Sequence, residues 1–476
     1  MADSNSPIAD SGRSPFVLVA NRLPVDRKVD DQGNQVWRTS PGGLVTALEP
    51  VMRQHDGTWV GWSGSPDEEL APFTHEHFHL APVKLSAADI ELYYEGFSNA
   101  TLWPLYHDGV AFPQFHRDWW QAYDRVNRRF AEQAAAVAAE DAVVWVQDYQ
   151  LQLVPQYLRE LRPDLTIGFF LHIPFPPDEL FSQLPWRSEI IRGLLGADLI
   201  GFQTPAGPAN FLRLVRRHLH LRTRSDTVFL PDGRLPKVRT YPISIDAQGF
   251  ADLATSDEAR DYAKKFCEEL GNPRRIFLGV DRLDYTKGLI HRIRAFGELF
   301  EAGDLDPDHD VFVQVASPSR ENVAEYVKLR DEIELMVGRI NGDVSRIGRP
   351  PILYLHSSYP RLAMAAMYSV ADVMVVTPLR DGMNLVCKEY VACRTDQTGA
   401  LVLSEFAGAA EELRQAYLVN PYDLNGMKST LLRAANASRR EKQRRMRALR
   451  KQIFEHDINR WADTFLTDLA QFREAR

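Results

Sequence analysis

A glycine-containing turn flanked by carboxylates follows one apolar run in the C-terminal half of the chain. The segment TPLRDGMNLVCKEYVA (377–392) comes directly after ADVMVV. A strand that ends in such a turn and opens into a helix leaves backbone N–H groups that can face an anion. The flanking carboxylates, Asp381 and Glu389, suit hydroxyl groups rather than phosphate. The pattern favours a ligand with both a phosphate and a polyol, such as a sugar nucleotide; the alternative is a helix start that Asp381 caps for stability alone.

Two cations follow another apolar run. The segment VDRLDYTKGL places Arg282 and Lys287 in a predicted strand-to-helix turn. Two permanent positive charges at the carboxyl end of a strand match a departing diphosphate, whose negative charge grows as its bond to a sugar breaks. The alternative is a structural salt bridge of Arg282 with Asp281 or Asp284.

A second pair of arginines follows two further predicted strands. Arg22 lies in VANRLPV and Arg320 lies in VASPSR. Because both strand ends are expected to face one cleft, this pair indicates a second phosphorylated ligand. Between them in the sequence, YYEGFSNATLWP supplies Tyr94 and Trp103, aromatic side chains suited to the apolar face and the hydroxyl groups of a sugar.

Two more polar residues lie at predicted strand ends. Asp148 ends VVWVQD, and His172 lies in FFLHIPFPP. Each could be a buried structural group, but the carboxyl ends of strands in a doubly wound sheet are where ligands bind. We therefore interpret both as site residues.

The elements that must position these residues are short apolar runs separated by helical patterns. Most runs lack the strict alternation of a half-exposed strand, which indicates parallel strands covered on both faces and hence an α/β doubly wound sheet. The runs are FVLVA (16–20), TWVGW (58–62), VVWVQD (143–148), TIGFFLHI (166–173), DLIGF (198–202), IFLGVD (276–281), VFVQVA (311–316), ILYLH (352–356), DVMVV (372–376) and ALVLS (400–404).

The runs fall into two sets with a less patterned junction near residue 250. We therefore predict two Rossmann-like domains, 16–250 and 251–454, facing across a cleft. A terminal helix, 455–476, carries apolar residues at three- and four-residue spacing and is expected to pack back on the first domain. The polar residues 1–15 are predicted to be a disordered tail.

Composition limits the class of protein. The 476 residues, 45% apolar and 25% charged, suffice for two ordinary globular domains. A formal charge of −8 gives no reason to expect nucleic acid or an acidic membrane surface as partner. Three cysteines are too few for a disulfide framework or a thiolate metal site, and no apolar run is long enough for a membrane span. We expect a cytoplasmic protein.

Familiar nucleotide and metal motifs are missing. No two glycines have Gly-x-Gly spacing and no Gly-Lys pair occurs, which argues against a nicotinamide-dependent dehydrogenase and a P-loop enzyme. The histidines of HEHFH (75–79) lack a partner ligand of recognised spacing, and the aspartates of DLDPDHD (304–310) lack the glycine and distal glutamate of a calcium loop. We expect no metal and no cofactor.

Taken together, the motifs resemble those of the trehalose-6-phosphate synthase family. The similarity runs from about residue 16 to 472 through NRLPV, SPGGLVTAL, GWSG, FSNATLWP, FLHIPFPPDELF, LLGADLIGFQT, DRLDYTKGL, TPLRDGMNLVCKEYVA and SEFAGAA. The resemblance implies a metal-independent GT-B type glycosyltransferase that moves glucose from UDP-glucose or another NDP-glucose to glucose 6-phosphate. The anomeric configuration is retained and the product is α,α-trehalose 6-phosphate. A same-family transferase with glycerol phosphate or cyclitol phosphate as acceptor is the alternative.

The resemblance also implies roles by position. On the acceptor side, Arg22, Arg320 and Tyr94 bind the phosphate of glucose 6-phosphate, Trp103 lies against the sugar ring, and Asp148 binds hydroxyl groups at the reacting centre. On the donor side, Gly43 lies in a flexible turn near the diphosphate, and His172 and Asp381 bind the glucose. Arg282 and Lys287 bind the diphosphate, and the N–H groups of Asn384 and Leu385 lie beneath it. Glu389 binds the ribose. The implied catalytic residues are Asp148, His172, Arg282 and Lys287.

Some positions depart from the family pattern. Gln147, Gln150 and Gln203 stand where the family commonly has histidine. These changes put in doubt the fine tuning of Asp148 by its neighbours, but they do not put the reaction in doubt.

A non-catalytic regulatory relative would be expected to lose some of the charged site residues, and all are present. The implied partners are small molecules. A homo-oligomer, dimer or tetramer, is compatible with the resemblance, and the residues do not select one.

Overall fold

The computed structural model describes residues 13–29, 33, 35–40, 43–320, 323–345 and 348–474. The contacts divide the chain into two compact units. The first comprises the residues up to Pro242 together with the segment from Asn459, and the second comprises Ile243–Ile458. Within the described ranges, no helix is both long and apolar enough to cross a membrane.

The first unit is built on a ten-stranded sheet with the order β10-β11-β12-β9-β8-β7-β1-β4-β6-β5. Its strands run parallel from β12 to β6, and antiparallel pairs flank them. The strands of this unit are β1 Ser14–Arg22, β2 Val25–Val29, β3 Gln35–Thr39, β4 Thr58–Trp62, β5 Phe73–His75, β6 Phe78–Pro82, β7 Ala138–Gln147, β8 Thr166–Leu171, β9 Leu199–Phe202, β10 Thr223–Arg224, β11 Thr227–Val228 and β12 Lys237–Thr240. The remaining pair, β2 and β3, forms a separate antiparallel hairpin.

Helices connect the parallel strands of the first unit. They are α1 Gly43–His55, α2 Ala87–Asp89, a π-helix Ile90–Leu102, α3 Trp103–Tyr106, α4 Arg117–Val137, α5 Val154–Leu161, α6 Asp178–Phe181, α7 Arg187–Leu194 and α8 Ala206–Leu219. A short 3₁₀ turn, Tyr149–Leu151, follows β7. Every residue of β8 is buried, as expected for a strand covered on both faces.

The second unit has a six-stranded, wholly parallel sheet with the order β15-β14-β13-β16-β17-β18. Its strands are β13 Arg275–Arg282, β14 Asp310–Ser317, β15 Ile352–Leu355, β16 Val373–Val376, β17 Ala400–Ser404 and β18 Tyr417–Val419. Its helices are α9 Ala247–Thr255, α10 Asp257–Glu269, α11 Leu289–Glu301, α12 Ala324–Val344, α13 Arg361–Val370, α14 Leu385–Cys393, α15 Leu424–Asn436 and α16 Arg439–Glu455, with 3₁₀ turns at Tyr285–Lys287 and Gly408–Glu411.

The α/β, doubly wound fold class predicted from the sequence is confirmed within each unit. All ten apolar runs overlap strands. Within the described residues, eight strands were not predicted, because their residues include polar side chains or form very short runs: β2, β3, β5, β6, β10, β11, β12 and β18. The less patterned junction forms two helices, α9 and α10.

The last helix, α17 Ile458–Glu474, covers the first unit's sheet. The ring of Phe465 stacks on that of Trp145 in β7, with 4.6 Å between centroids. In β8, a Cβ atom on Gly168 would come within 2.8 Å of the Phe465 ring, so the glycine makes room for the helix. The indole N–H of Trp461 donates to the Tyr241 carbonyl at 3.2 Å.

The N-terminal tail needs a correction at its boundary. Residues 1–12 of the predicted tail lie outside the described residues, but Ser14 already begins β1. Its hydroxyl is held by the carbonyls of Phe16 at 2.8 Å and Asp56 at 3.2 Å. These bonds attach the start of the strand to the unit, which composition alone did not indicate.

Candidate active site

The order of strands places the predicted residues at the topological switch point of each sheet. In the first unit, β1 and β7 are neighbours at the switch point, because β4, the next strand of this sheet after β1, lies on one side of the pair and β8, the next after β7, lies on the other. Arg22 ends β1 and Asp148 follows β7. In the second unit, β13 and β16 have the same relation; Arg282 ends β13 and Asp381 follows β16. Open α/β sheets bind ligands in the crevice outside such strand ends.

Arg22 lies in a pocket of aromatic and polar side chains. Its guanidinium lies over the Trp62 ring at 5.1 Å and pairs with Asp26 at 2.8 Å. The Tyr94 ring lies 6.1 Å from the same Trp62 ring. Gly64 has a left-handed φ of 99°, and a Cβ atom there would overlap the Arg22 guanidinium. The structure thus brings Arg22 and Tyr94 together on Trp62, and Gly64 of the GWSG turn makes room for the Arg22 guanidinium.

Asp148 and His172 are joined through the backbone. The amide of Asp148 donates to the Phe170 carbonyl at 2.7 Å, and the amide of His172 donates to the Asp148 carboxylate at 3.1 Å. These bonds extend the pairing of β7 and β8 beyond the ends of the strands. They fix both predicted residues relative to the sheet.

The His172 ring is held in a neutral state. Its Nε2 lies 2.9 Å from Oε1 of the fully buried Gln147, which puts the ring proton on Nε2. Phe170 lies against the ring at 4.7 Å between centroids. Burial lowers the pKa of His172 to about 3, so the imidazole is uncharged at neutral pH. Among the described residues, Nε2 of Gln147 is buried and has no hydrogen-bond partner.

Trp103 is less open than its predicted role suggests. Its side chain is only 5% exposed. The ring packs against His107 at 4.2 Å and Tyr149 at 5.5 Å between centroids. Tyr149 directly follows Asp148, so Trp103 packs beside the end of β7.

In the second unit, Lys287 and Asp381 bridge the switch point. The Lys287 Nζ atom lies 2.6 Å from Asp381 Oδ2, and the same oxygen accepts from Asn384 Nδ2 at 3.1 Å. Asn384, not Asp381, is the N-cap of α14, since its side chain accepts from the Cys387 amide at 3.1 Å. The capping alternative for Asp381 is therefore wrong, and the carboxylate is available to the cation.

The turn before α14 is fastened to the loop after β17. The amide of Gly408 donates to the Asp381 carbonyl at 3.1 Å, and that of Ala409 donates to the Met383 carbonyl at 2.9 Å. A Cβ atom on Gly408 would overlap the Gly382 carbonyl oxygen. The loop therefore needs glycine at 408, which gives the SEFAGAA motif a physical role.

Glu389 lies on α14 and is partly buried. Its Oε2 accepts from the Tyr368 hydroxyl at 3.0 Å. Burial raises the pKa of Glu389, partly offset by the hydrogen bond from Tyr368 and the charge of Arg361. The neighbouring Lys388 points elsewhere, donating to Glu412 and to the Ile243 carbonyl.

Arg282 and Arg320 lie around one buried carboxylate, Asp284, at N–O distances of 3.9 and 3.5 Å. Of the two partners proposed for a structural Arg282 salt bridge, Asp281 instead pairs with Arg292 at 2.6 Å. Arg292 is wholly buried and also donates to Gln314, Thr377 and the Lys287 carbonyl, which ties the ends of β13, β14 and β16 together.

Strained backbone recurs at three predicted positions. Asp148, Arg320 and Asn384 have φ values of 72°, 51° and 78°, in the left-handed region that non-glycine residues rarely adopt. Each such residue costs on the order of 1–3 kcal/mol, and strain of this kind gathers at functional sites. Asp148 directly follows β7 and Arg320 lies three residues beyond β14, whereas Asn384 precedes the first residue of α14.

The other candidates predicted from the sequence have ordinary positions. Gly43 is the first residue of α1, and Gly42 lies outside the described residues. All three histidines of HEHFH lie near carboxylates: His75 near Glu76 at 4.0 Å, His77 near Glu49 at 3.3 Å and His79 near Asp56 at 3.1 Å. Across the described ranges, no group of three or more histidine, cysteine or carboxylate side chains is arranged to hold a metal ion.

Comparison with known proteins decides the family. The model of glycosyltransferase family 20 matches residues 14–471. The chain belongs to glycosyltransferase family 20.

Its similarity to individual members of family 20 covers nearly the whole chain. A trehalose-6-phosphate synthase of Mycolicibacterium gilvum (strain PYR-GCK) is 56% identical over 98% of this chain and 96% of the relative. The structure of a UDP-forming α,α-trehalose-phosphate synthase from Burkholderia xenovorans in complex with glucose-6-phosphate has a TM-score of 0.87 and 36% identity, covering 96% of this chain and 99% of that chain. An E. coli structure bound with UDP-2-fluoro glucose has a TM-score of 0.88 and 35% identity, with coverages of 96% and 99%.

Several residues that contact the candidate residues within each unit were not predicted from the sequence. Trp62 and Gly408 lie in motifs that carried the resemblance, so the signal was present without a role attached to it. Asp284 was considered only as a partner for Arg282. Tyr326 and Tyr368 come from helices α12 and α13, where an isolated tyrosine has no distinguishing pattern.

Proposed function

We propose that this chain transfers glucose from UDP-glucose, or another NDP-glucose, to glucose 6-phosphate with retention of configuration. The product is α,α-trehalose 6-phosphate, and the process is trehalose biosynthesis. The single observation that carries the proposal is the Lys287–Asp381 ion pair, at 2.6 Å, beside the start of α14 at the switch point of the second sheet. A cation, a carboxylate and N-terminal helix amides in one place suit a diphosphate joined to a sugar.

On the donor side, each assigned group matches one part of a nucleotide sugar. Arg282 and Lys287 neutralise the diphosphate, and the amides of Asn384 and Leu385 lie beneath it. Asp381 and His172 bind glucose hydroxyl groups, Glu389 binds the ribose, and Gly43 lies near the diphosphate. Support for the hydroxyl roles comes from Asp381, whose carboxylate accepts hydrogen bonds and does not cap the helix.

On the acceptor side, Arg22, Tyr94 and Arg320 are assigned to the phosphate of glucose 6-phosphate. The shared contact of Arg22 and Tyr94 with Trp62 supports this assignment. Trp103 offers the edge of its ring to the sugar, and Asp148 binds hydroxyl groups at the reacting centre. The hydrogen bond from the His172 amide fixes the Asp148 carboxylate for that role.

The chemistry follows from the charges. As the bond from the glucose anomeric carbon to the diphosphate breaks, negative charge grows on the phosphate oxygens, and Arg282 and Lys287 stabilise it. The acceptor hydroxyl forms the new bond on the same face, and its proton passes to a departing phosphate oxygen. No carboxylate is assigned as nucleophile, unlike in a retaining glycosidase. His172 is neutral at pH 7 and donates its ring proton to Gln147, so its other ring nitrogen can accept a hydrogen bond and the residue does not protonate the leaving group.

The test is a nucleotide-release assay with UDP-, GDP- and ADP-glucose as donors. Glucose 6-phosphate, glycerol phosphate and a cyclitol phosphate serve as acceptors, each with and without excess EDTA. We expect release with glucose 6-phosphate, unchanged by EDTA because Arg282 and Lys287 take the place of a divalent ion. Faster release with another acceptor would favour the same-family alternative. Loss of activity in EDTA that magnesium or manganese restores would contradict the metal-independent mechanism.

Two further points belong to the proposal. A cytoplasmic location fits the three cysteines, which are all free thiols, two of them buried. A homo-oligomer, dimer or tetramer, is proposed for the assembly, and sedimentation of the purified chain tests it. The molecular partners are the two small substrates; neither nucleic acid nor membrane is proposed.

A further inference from the structure

The side chain of Asp284 is fully buried in the turn after β13. One carboxylate oxygen, Oδ1, accepts from the amide of Thr286 at 3.0 Å and from its hydroxyl at 2.9 Å. These two bonds within the 3₁₀ turn fix the plane of the carboxylate. The other oxygen is thereby directed away from the turn.

That other oxygen, Oδ2, faces two arginines. Arg320 Nη1 lies 3.5 Å away and Arg282 Nη2 lies 3.9 Å away. The Tyr326 hydroxyl donates to Oδ2 at 3.3 Å and accepts from Arg320. Burial raises the pKa of Asp284, but the charges of Arg320, Arg282 and Lys287 outweigh it and the pKa is lowered. The carboxylate is therefore ionised.

The two arginines differ in exposure. The Arg320 side chain is 6% exposed, whereas that of Arg282 is 49% exposed. At 3.9 Å the Arg282 contact is longer than a hydrogen bond. A small rotation of this half-exposed side chain would bring it into hydrogen-bond contact with Asp284.

We propose that Asp284 is a positioning residue that couples the acceptor-phosphate arginine, Arg320, to the donor-diphosphate arginine, Arg282. This inference rests on the proposed function, which assigns those two roles. Both guanidinium groups face one oxygen of one buried carboxylate, so a change at either arginine alters the electrostatic balance at the other.

The coupling has a definite direction. A buried carboxylate that loses a positive partner is strongly destabilised unless another takes its place. When Arg320 is removed, Arg282 moves onto Asp284, and its charge is then less available to a diphosphate. Arg320→Ala should therefore weaken the binding of a nucleoside diphosphate as well as that of glucose 6-phosphate.

A double-mutant cycle tests the coupling. Calorimetry measures the binding of UDP to the full chain and to the Arg320→Ala, Asp284→Asn and doubly substituted variants. We expect Arg320→Ala to weaken UDP binding by about three- to ten-fold when Asp284 is present, and by less than about two-fold in the Asp284→Asn background. Equal factors in the two backgrounds would overturn the proposal.

The matched control is Asp310→Asn. Asp310 is also fully buried and pairs with Arg274 and Arg275, at the opposite edge of the same sheet. This variant should lower the melting temperature and leave UDP binding and its response to Arg320→Ala unchanged. Coupling that disappears in Asp310→Asn as well would show a general loss of packing and would contradict the role of Asp284.

A second measurement needs neither Asp284 variant nor substrate. In a crystal structure of ligand-free Arg320→Ala, Arg282 should lie within about 2.7–3.1 Å of Asp284. An Arg282 that stays at its present distance or turns away would overturn the coupling. If the unsubstituted chain fails to bind UDP, the proposed function is wrong. The crystal structure of the Arg320→Ala variant would still show whether the two arginines share Asp284.

Discussion

Two buried aspartates of the second sheet each lie near two arginines, yet their contacts differ. One lies where the parallel strands begin, the amino edge, and the other lies where they end, the carboxyl edge. At the amino edge, Asp310 accepts from Arg275 Nε at 2.7 Å and Nη2 at 2.7 Å, one on each oxygen, and from Arg274 at 3.0 Å. At the carboxyl edge, Asp284 presents one oxygen to Arg320 and Arg282 at 3.5 and 3.9 Å. The first arrangement is a closed, bidentate pair, and the second is a loose one.

The first unit also has a short ion pair at its amino edge. Asp198, just before β9, accepts from Arg159 at 2.7 Å and from the Ile167 amide at 2.8 Å. Such pairs join the beginnings of neighbouring strands and stabilise the sheet. At the carboxyl edge of the second sheet, by contrast, the contacts of Asp284 with Arg320 and Arg282 are longer, at 3.5 and 3.9 Å. The same side chains thus serve stability or binding according to the edge on which they lie.

The largest expected effect comes from neutralising a cation at each edge. Lys287→Met should lower kcat by about 10²–10³-fold, as for the loss of one group that stabilises developing negative charge. Arg275→Met, at the amino edge, should lower the melting temperature and change kcat by less than about two-fold, because its partner Asp310 lies away from the proposed reacting groups. Steady-state kinetics and thermal unfolding of both variants measure the contrast. A comparable loss of kcat in both would break the distinction between the edges.

Much of this arrangement could be predicted because buried parallel strands are continuous apolar runs. Once the runs were placed, the residues after them, Arg22, Asp148, Arg282 and Asp381, fell at strand ends, where the structure has them. The pattern is local in sequence. It therefore needs no knowledge of which segments meet.

The remainder depends on contacts between distant segments or on where a helix begins. Tyr326 reaches Asp284 from 42 residues away, and no spacing rule indicates that pair. Asp381 and Asn384 are both good helix caps by residue type. Asn384 is the actual cap because α14 begins at Leu385, which puts the Asn384 side chain in reach of the Cys387 amide, and the sequence does not fix where the helix begins. The contact of Asp284 with Arg320 likewise joins distant segments, so the sequence predicted Asp284 only as an alternative partner of Arg282.

A smaller effect should follow from altering the loop that shapes the carboxyl edge. In Gly408→Ala the new methyl group overlaps the Gly382 carbonyl, so the turn before α14 must shift, at a cost of about 1–3 kcal/mol. We expect weaker UDP binding and a lower melting temperature. Calorimetry and thermal unfolding measure the two.

The control for that change is Gly338→Ala. Gly338 is exposed in α12, and a Cβ atom there meets nothing within 4 Å. Alanine should stabilise the helix by about 0.5–1 kcal/mol and leave UDP binding unchanged. If Gly408→Ala behaved like Gly338→Ala, the fastened loop would have no part in the site.

The smallest effect concerns pH and the carboxyl edge of the first unit. Because burial lowers the pKa of His172 from 6.5 to about 3, the unfolded chain binds a proton between those values that the folded chain does not. His172 therefore destabilises the fold increasingly as pH falls through that range and has no such effect above about pH 7. In the wild type we expect no inflection from His172 in the kcat/KM profile between about pH 5 and 8.

Gln147→Glu should make this histidine titrate within that range. The new carboxylate would replace Gln147 Oε1, which lies 2.9 Å from His172 Nε2, and an opposite charge at that distance raises the pKa of an imidazole. Among the described residues, the hydrogen bonds of His172 go to Gln147, Asp148 and Gln203, so the only carboxylate already in contact is that of Asp148, through the backbone amide. We expect a new inflection in kcat/KM and a matching imidazole titration by NMR. Gln150→Glu, the same substitution three residues along, should produce neither. Identical profiles for both variants would show that Gln147 does not set the protonation of His172.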